Sequence, residues 1–503
     1  MLFNTIFSWY IGKRVSRIEL YRQQAILSQH KVLKHLLDKA TKTFYIKQFS
    51  SHLLHYNSFV ETIPLSDYGT LKSYIDRAIN GEENVLWPGK TYWFAKSSGT
   101  TADRIKLLPI TQDLLLNNHY AGGKDLLSQY YANFPNRKLY NAKHLIIGGS
   151  GEPIENDNGA FIGDLSAIII EHLPFWTEAR RTPKKEIALM GNWEEKLEKM
   201  AHSVLHENIC IIAGVPSWTS LLLKKVLFLS GKKSIAEIWP NLELYIHGGV
   251  NFAPYTTTFQ QLIGKEINYV ESYNASEGYF GFQDQVDSKE LLLMTNSDVF
   301  FEFIPMNNYE GVHSTVVLPL EKIEQNVDYA VVISTSAGLW RYLIGDTIRF
   351  SSKKPFRFHV TGRTSHFINA FGEKMIVEHV EKAIAKINSE FQCTITDFTV
   401  APYFLIDFQT GGHEWVIEFD KAPSDIKAFE ERLDFLLKEE NADYEAKRFK
   451  DLNISFPRFH YVAKGCFQEW LKAKGKLGGQ HKVPRLCNER KIIDEILHTN
   501  AYI

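Results

Sequence analysis

The segment Tyr92–Ala95 leads into Lys96-Ser97-Ser98-Gly99-Thr100-Thr101-Ala102-Asp103-Arg104-Ile105-Lys106. This order predicts a strand, a turn rich in hydroxyl side chains, and a second strand that opens with a lysine. Small residues let the backbone approach an anion, hydroxyl and N–H groups donate to phosphate oxygens, and a lysine supplies positive charge. The run lacks the G-x-x-x-x-G-K-[ST] spacing of a Walker A loop. It therefore indicates either another kind of phosphate-binding loop or a solvated hairpin turn.

After this run, short strands alternate with helices. Apolar residues at helical spacing predict helices at Trp193–His206 and Trp218–Leu229. This alternation is typical of an α/β body with a substantially parallel sheet. The predicted strands are Tyr92–Ala95, Ile105–Leu108, His144–Ile147, Ile209–Ala213, Leu242–His247, Ile267–Glu271, Tyr329–Ser334 and Arg357–Thr361.

The two ends of the chain differ from this body. Helical spacing over residues 15–45 predicts two helices in an α-rich N-terminal region. After Gly362–Arg363 the order helix, two β-rich runs, helix suits a small α+β unit with ferredoxin-like packing. We therefore expect a large N-terminal α/β domain over residues 1–362 and a small C-terminal α+β domain over residues 363–503.

Composition narrows the class of protein. A chain of 503 residues suggests two or more domains. Its 57 Lys and Arg residues nearly balance 58 Asp and Glu residues, which counts against nucleic acid or an anionic membrane as a partner. The four cysteines form no C-x-x-C pair, so neither a disulfide framework nor a thiolate zinc cluster is expected. Without a signal-peptide pattern or a long apolar run, we expect a cytoplasmic protein.

A second chemical signal follows the apolar segment Ile267–Glu271 and reads Tyr273-Asn274-Ala275-Ser276-Glu277-Gly278. Loops at the carboxyl ends of sheet strands are where α/β enzymes bind ligands. Tyr273 offers an aromatic face to a base, and Glu277 offers a hard oxygen ligand to the Mg²⁺ that accompanies ATP. An exposed turn with an N-capping serine would explain the same residues.

Three other segments carry polar residues near glycine. In Trp340-Arg341-Tyr342-Leu343-Ile344-Gly345-Asp346, the carboxylate of Asp346 can accept two hydrogen bonds from a ribose diol, or it satisfies turn N–H groups. Gly362-Arg363-Thr364-Ser365-His366-Phe367-Ile368-Asn369-Ala370-Phe371-Gly372-Glu373-Lys374 spans the predicted boundary, and Gly478-Gly479-Gln480-His481-Lys482-Val483-Pro484-Arg485 lies near the C-terminus. Each of them, taken alone, fits a surface loop.

Taken in order, these segments resemble the motifs of the adenylate-forming superfamily of acyl-CoA synthetases, peptide-synthetase adenylation domains and luciferases. The closer resemblance is to the auxin-responsive acyl-acid amido synthetase family, and it spans roughly residues 60–490. The chain departs from the wider pattern at Thr101-Ala102-Asp103, where many members have another glycine, and at Ser365, where many have a hinge Asp. The matching motifs are Ser97-Ser98-Gly99-Thr100, Gly214-Val215-Pro216-Ser217-Trp218, His247-Gly248-Gly249-Val250-Asn251-Phe252, Tyr273-Asn274-Ala275-Ser276-Glu277, Arg341-Tyr342 with Gly345-Asp346, and Gln480-His481-Lys482-Val483-Pro484-Arg485.

The resemblance implies an enzyme that uses ATP and Mg²⁺ to convert a small carboxylic acid into acyl-AMP and pyrophosphate, then transfers the acyl group to the amine of an amino acid. The implied catalytic residues are Ser276 near the α-phosphate, Glu277 on Mg²⁺, and Lys482 on the α-phosphate or acyl carboxylate. The implied nucleotide-binding residues are Ser97, Ser98, Gly99, Thr100, Thr101 and Lys106 for the phosphates, Gly249, Val250 and Tyr273 for adenine, Asp346 for ribose, and Arg363 near the ribose or hinge.

The same resemblance implies an acyl pocket that includes Val215, Trp218 and Phe252, and a small domain that rotates about residues 363–365. A monomer or weak homo-oligomer is expected. Two alternatives remain open. A thioester-forming acyl-CoA ligase would share the adenylation half of the reaction, and a non-catalytic nucleotide-binding protein would keep only the fold.

Overall fold

The computed structural model forms two compact units. Unit 1 holds the described residues of Met1–Gly99, Arg104–Gly249 and Gln260–Thr364, and unit 2 holds those of Val250–Phe259 and Ser365–Ile503. The structure describes residues 12–49, 55–97, 106–135, 137, 139–148, 151–249, 252, 255–285, 287–364, 367–368, 370–373, 375–405, 411–451, 453–473 and 483–500.

The N-terminal part of unit 1 is helical. Its helices are α1 (Val15–Gln23), α2 (Ala25–Ala40), α3 (Phe44–Lys47), α4 (Tyr56–Thr62) and α5 (Tyr68–Ile79). The buried stripe of α2 follows helical spacing and includes Val32, Leu33, Leu36 and Leu37. Helix α5 begins at a capping box, in which Asp67 Oδ1 accepts from Thr70 N–H and Thr70 Oγ1 accepts from Asp67 N–H. The two helices predicted over residues 15–45 are confirmed as α1 and α2.

A small sheet of unit 1 carries the hydroxyl-rich run. Its described strands are β1 (Trp93–Ser97), β2 (Lys106–Ile110), β4 (Ile154–Glu155) and β5 (Phe161–Asp164), in the order β2-β1-β5-β4. Strands β1 and β2 are antiparallel, with Ser97 opposite Lys106. The two strands predicted on either side of the turn are therefore confirmed.

The main sheet of unit 1 has twelve strands within the described residues, in the order β13-β12-β14-β15-β16-β11-β10-β9-β8-β7-β3-β6. Their bounds are β3 (Lys143–Ile146), β6 (Arg181–Thr182), β7 (Ile209–Ala213), β8 (Leu244–Gly248), β9 (Asn268–Ala275), β10 (Gly278–Phe282), β11 (Leu291–Leu293), β12 (Val299–Pro305), β13 (Leu318–Pro319), β14 (Asp328–Thr335), β15 (Tyr342–Lys353) and β16 (Phe356–Arg363).

The mixed α/β fold is confirmed, but only one half of the main sheet is parallel. Strands β6, β3, β7, β8 and β9 pair in parallel. From β9 to β13 every pairing is antiparallel. The difference follows from the connections, because two-residue turns such as Ser276-Glu277 can join only antiparallel strands, whereas parallel strands need long crossovers.

Helices connect the strands of the parallel half. Helix α12 (Pro216–Ser230) follows β7, has Pro216 at its first position, and is capped by Gly231, whose φ of 66° is left-handed. Within the described residues, no helix combines the length and apolarity needed to cross a membrane. The elements are α6 (Gln112–Leu114), a π-helical turn (Leu115–His119), α7 (Tyr120–Asn133), α8 (Leu165–Glu171), α9 (Phe175–Glu178), α10 (Lys185–Ala188), α11 (Trp193–Val204), α12 (Pro216–Ser230), α13 (Ile235–Ile238) and α14 (Thr256–Ile263), with 3₁₀ turns at Leu139–Asn141, Met306–Asn308, Gly311–His313 and Leu320–Lys322.

Aromatic side chains fill one face of the antiparallel half. Successive ring contacts, with centroids 5.0–6.4 Å apart, run from Tyr273 through the antiparallel strands and return to it. Contacts of this kind stabilise the sheet beyond simple area burial. The rings that close the circuit, in order, belong to Tyr273, Phe280, Phe301, Phe303, Phe350 and Phe358.

Unit 2 is built around a sheet whose described strands are β19 (Thr394–Tyr403), β20 (Gly412–Lys421) and β21 (Arg458–Val462), in that order. Side chains alternate along β20, so that Trp415 and Ile417 face one apolar cluster and Val416 faces another. The remaining elements are β17 (Phe367–Ile368), β18 (Met375–Ile376), α15 (Val377–Glu390), α16 (Ile426–Glu440), α17 (Ala442–Arg448), a 3₁₀ turn (Phe449–Asp451), α18 (Cys466–Ala473) and α19 (Lys491–Asn500).

The strand order of unit 2 differs from the expected ferredoxin-like packing. Strands β19 and β20 form an antiparallel pair, but β21 lies directly beside β20 in parallel. The split arrangement would place another strand between two parallel ones. Here the crossover through α16 and α17 returns the chain next to β20, so the two parallel strands are immediate neighbours.

Close packing of α7 on β10 gives a test of the fold. A Cβ at Gly122 would lie 2.4 Å from ring carbons of Tyr279, whereas a Cβ at Gly123 would meet nothing within 4 Å. We expect Gly122→Ala to destabilise the protein by about 1–3 kcal/mol through overpacking. The matched control Gly123→Ala should stabilise by roughly 0.5–1 kcal/mol through helix propensity. Thermal unfolding measures both, and equal melting temperatures would contradict this packing.

Candidate functional site

The ends of three parallel strands bring four of the predicted site residues to one edge of the main sheet. Strand β7 ends at Ala213, just before Val215, and β8 ends at Gly248, just before Gly249. Strand β9 ends at Ala275 and leads into Ser276 and Glu277. Because β7, β8 and β9 pair in parallel, these residues share the carboxyl edge, where α/β proteins bind ligands.

The segment around Glu277 is a hairpin and not the loop expected from the sequence. Tyr273 and Ala275 belong to β9, where they pair with Gly281 and Gly278 of β10. Only Ser276 and Glu277 form the turn. The strand continues past its predicted end because the ladder to β10 extends almost to the turn. Glu277 is buried at 8% exposure, and Ser276 is half-buried.

A hydrogen bond joins the predicted adenine and ribose residues. The Tyr273 hydroxyl donates to Asp346 Oδ2 at 2.6 Å. Strands β10, β11 and β16 lie between β9 and β15 in the sheet order. In a flat sheet, strands four positions apart would be separated by about 19 Å. The sheet must therefore curve strongly for the two side chains to meet.

The backbone before Asp346 depends on a glycine, which lies inside β15 at an irregularity of the ladder to β14 and not at the expected turn. Gly345 has a φ of +87°, which L side chains rarely adopt. Its carbonyl accepts the Thr364 N–H at 2.8 Å. Asp346 itself pairs with Arg363 across β15 and β16. The structure thus places the backbones of Asp346 and Arg363 side by side.

The residues predicted for the acyl pocket belong to both units. Val215 precedes α12, and a Cβ at Gly249 would lie 3.7 Å from its Cγ2. Trp218 is half-buried in the first turn of α12. Phe252 belongs to unit 2, where its ring lies 5.4 Å from that of Phe259.

The predicted phosphate loop is described only at its flanks. Ser97 ends β1, and Lys106 begins β2 with its ammonium group 5.9 Å from the centroid of the Tyr68 ring. The remaining predictions on Ser98, Gly99, Thr100, Thr101, Val250 and Lys482 lie outside the described residues.

Family models match most of the chain. The GH3 family N-terminal domain matches residues 14–267, the central domain residues 292–363 and the C-terminal domain residues 378–491. The chain belongs to the GH3 family. The matched residues include Val215, Gly249 and Asp346.

Relatives of this GH3 chain include plant ligases. Indole-3-acetic acid-amido synthetase GH3.4 of Arabidopsis thaliana is 25% identical over 91% of this chain and 88% of its own length. 4-Substituted benzoates-glutamate ligase GH3.12, from the same plant, is 22% identical over 94% of both chains. The solved GH3.15 acyl acid amido synthetase in complex with 2,4-DB has a TM-score of 0.63 at 18% identity, covering 96% of this chain and 95% of its own. The likeness in structure confirms a large N-terminal and a smaller C-terminal α/β domain.

Arg341 of the GH3 chain has a structural role that its place in the ribose-turn motif did not suggest. Its guanidinium makes two hydrogen bonds to Glu302, at 2.9 and 3.0 Å, and both side chains are almost fully buried. It also donates to the carbonyls of Val60 and Ile63 beside α4. The arginine therefore fixes the helical N-terminal region to β12 of the sheet.

Two titratable residues near the carboxyl edge were missed in the sequence. His247 and Glu271 are register partners on β8 and β9. Burial raises the pKa of Glu271 to about 7 and lowers the pKa of His247 to about 3. His247 is therefore neutral at pH 7, whereas Glu271 is close to its pKa there and is present in both its protonated and its ionised form. His247 follows three apolar residues of β8, a signal that would have identified it, whereas β9 contains several other polar residues and gives no such signal for Glu271.

The buried Arg341–Glu302 pair predicts a pH-dependent loss of stability. We expect Arg341→Met to destabilise by about 3–5 kcal/mol, because it leaves a buried carboxyl without its partner. Burial already raises the pKa of Glu302, and losing Arg341 raises that pKa further. A carboxyl with a raised folded pKa contributes stability at low pH that is lost as pH rises, so the loss should be greater at pH 8 than at pH 5.

Urea denaturation at both pH values measures this difference. Arg77→Met is the control, because its partner Glu82 is solvent-exposed and should tolerate the loss at either pH. An equal loss for Arg341→Met at pH 5 and pH 8 would contradict the assignment.

Proposed function

We propose that this chain uses ATP to convert a small carboxylic acid into acyl-AMP and pyrophosphate, then transfers the acyl group to the amino group of an amino acid. The observation that carries the proposal is the hydrogen bond from Tyr273 to Asp346. It joins two motifs that lie 73 residues apart in the sequence. The names of the GH3 relatives as amido synthetases and a glutamate ligase support the same chemistry.

We assign the nucleoside to Tyr273 and Asp346, the two side chains that this hydrogen bond joins, and to residues near them. Tyr273 flanks adenine, together with the backbone of Gly249 and Val250, and Asp346 accepts hydrogen bonds from the ribose hydroxyls. Fixing the Asp346 carboxylate through Tyr273 sets the direction of its lone pairs before the nucleotide binds. Arg363, the cross-strand partner of Asp346, lies near the ribose or at the hinge.

The phosphates are assigned to Ser97, Ser98, Gly99, Thr100 and Thr101, with Lys106 adding positive charge. Glu277 is the proposed ligand for Mg²⁺, which neutralises charge on the phosphates when it is bound. Within the described residues there is no group of three or more His, Cys, Asp or Glu side chains that would bind a metal by itself. A single carboxylate at Glu277 fits Mg²⁺, which is commonly held by one or two carboxylates together with substrate phosphates.

In the first half-reaction, a carboxylate oxygen attacks the α-phosphorus, and the bond to the pyrophosphate oxygen breaks. Ser276 approaches the α-phosphate, and Lys482 neutralises negative charge on the α-phosphate or the acyl carboxylate. Catalysis of such a displacement depends mainly on positioning and charge neutralisation. The half-buried Ser276 lies on a two-residue turn between paired strands, which limits its movement.

In the second half-reaction, the amine nitrogen attacks the acyl carbon, AMP leaves, and the nitrogen releases a proton. Residues 363–503 form the mobile domain that rotates between the two steps and excludes water from the mixed anhydride. Val215, Trp218 and Phe252 contribute to the acyl pocket. We further propose a cytoplasmic location and a monomer or weak homo-oligomer.

A substrate screen tests this function. Acids that include benzoates and indole acids are offered with ATP, Mg²⁺ and each of the amino acids, and pyrophosphate release is followed. Mass spectrometry then identifies the product. An amide supports the proposal, a thioester formed with coenzyme A would reassign the chain as an acyl-CoA ligase, and no acid-dependent pyrophosphate release would refute catalysis.

Tyr273→Phe tests the nucleoside site. The variant keeps the ring and its aromatic contacts but loses the hydrogen bond to Asp346. We expect the KM for ATP to rise roughly tenfold, the effect of one charge-assisted hydrogen bond. The KM for the acid should change little, since the acid does not contact the ribose. The exposed Tyr92→Phe is the control, and an unchanged KM for ATP in Tyr273→Phe would count against the assignment.

Glu277→Gln tests the metal role. The amide keeps the size of the side chain but removes the anionic ligand. We expect pyrophosphate–ATP exchange to fall roughly a hundredfold and the Mg²⁺ concentration for half-maximal exchange to increase. Glu155→Gln, on the exposed strand β4, should behave as the parent protein. Normal exchange at low Mg²⁺ in Glu277→Gln would refute the role.

A further inference from the structure

The helix before α7 contains an irregular turn. Residues Leu115–His119 form a π-helical turn between α6 and α7. A π turn inserts an extra residue into a helix, and such turns are found most often at functional sites. The sequence here places Asn117, Asn118 and His119 in succession, with Asn118 and His119 buried.

Asn118 bonds to the backbone of the β10 strand. Its carboxamide nitrogen donates to the carbonyls of Tyr279 and Ser297, both at 2.9 Å, and its Oδ1 accepts the Tyr279 N–H at 2.6 Å. The side chain is fully buried, so these bonds replace water for both of its polar atoms. Asn118 therefore makes hydrogen bonds to both backbone polar groups of Tyr279, as a neighbouring strand would.

His119 bonds to the partner strand β9. Its Nδ1 lies 3.1 Å from Asn274 Oδ1. Burial lowers the pKa of His119 to about 4, so the ring is neutral near pH 7. A carboxamide oxygen only accepts, so the single ring proton resides on Nδ1 and donates to Asn274.

These contacts converge on one cross-strand pair. Asn274 and Tyr279 are opposite each other in the β9–β10 hairpin. Only one further pair, Ala275 and Gly278, separates them from the turn at Ser276 and Glu277. Consecutive residues of the π turn thus hold both strands of the hairpin just below its turn.

Gly278 allows this close approach. A Cβ at position 278 would lie 3.2 Å from Asn118 Oδ1 and 2.9 Å from the Phe280 ring. A side chain there would therefore push against the asparagine that holds the neighbouring Tyr279. The lack of a side chain at Gly278, the first residue of β10, therefore leaves the space that the Asn118 side chain occupies.

We propose that Asn118 and His119 are positioning residues, which hold the β9–β10 hairpin so that Ser276 and Glu277 meet the α-phosphate and Mg²⁺ in a fixed geometry. The proposal rests on the function proposed above for that hairpin. Neither residue is assigned to the nucleotide. Each acts through the hairpin backbone or through Asn274.

Four variants test the His119 contact. His119→Leu and Asn274→Ala each remove one partner, and the double variant removes both. His119→Asn is the conservative replacement, because its carboxamide nitrogen can take the place of Nδ1. Asn117→Ala is the matched control, since Asn117 lies in the same π turn but bonds to Asp298 at 2.9 Å. A further variant, Asn118→Ala, removes the side chain that bonds to the Tyr279 backbone.

The first measurement needs no ligand. Hydrogen exchange followed by mass spectrometry reports on the peptide that contains residues 274–282. We expect exchange roughly tenfold faster than in the parent for His119→Leu, Asn274→Ala and Asn118→Ala, and unchanged exchange for Asn117→Ala. If the peptide exchanges alike in His119→Leu and Asn117→Ala, the positioning role is overturned whatever the activity.

The second measurement is the Mg²⁺ dependence of pyrophosphate–ATP exchange. His119→Leu and Asn274→Ala should each need roughly fivefold to tenfold more Mg²⁺ than the parent for the half-maximal rate. The double variant should need no more Mg²⁺ than either single variant, because both remove the same contact. His119→Asn should recover most of the parent behaviour. Additive losses, or faster hydrogen exchange with unchanged Mg²⁺ dependence, would overturn the proposal. A parent protein without exchange activity would refute the proposed function, and with it the role of Asn118 and His119 in the Mg²⁺ dependence. The hydrogen-exchange result would still decide whether these two residues hold the hairpin.

Discussion

The hydrogen bond between the Tyr273 hydroxyl and Asp346 spans the concave face of the antiparallel half-sheet. It can form only because β9 and β15 curve toward each other, and the circuit of aromatic rings packed between them keeps that curvature. Rings pack well at tilted and edge-to-face angles, which lets them fill a strongly curved surface. The position of the predicted nucleoside residues thus depends on the hydrophobic core beneath them.

Buried polar pairs fix the positions of elements that apolar packing alone would not determine. Arg341 and Glu302 tie the N-terminal helices to β12, and Asn118 ties the π turn to β10. In unit 2, Glu373 and His413 form a fully buried pair at 2.9 Å, and Glu373 also accepts the Phe371 N–H. Such groups must find specific partners to offset desolvation, so each one favours a single arrangement of its elements.

The candidate site shows which residues a pattern can identify. The turn expected at Gly345 and Asp346 is instead an irregularity within β15, because the ladder to β14 continues on both sides of it. The segment Tyr273–Glu277 was expected as a loop because its residues are mostly polar. In the structure, pairing with β10 continues β9 to Ala275. Asn118 and His119 were not identified, because their role depends on contacts with residues more than 150 positions away.

The sequence by itself determined the mixed α/β class, eight of the sixteen strands that the structure describes between Trp93 and Arg363, and the family, because apolar periodicity and ordered motifs are local properties. Only the tertiary structure decided which strands are parallel, how far the sheet curves, and which polar residues meet. Those features arise from pairings between distant segments. The free energy that favours one pairing over another comes from side-chain packing and desolvation among many residues that are distant in the sequence. It therefore cannot be read from any short segment.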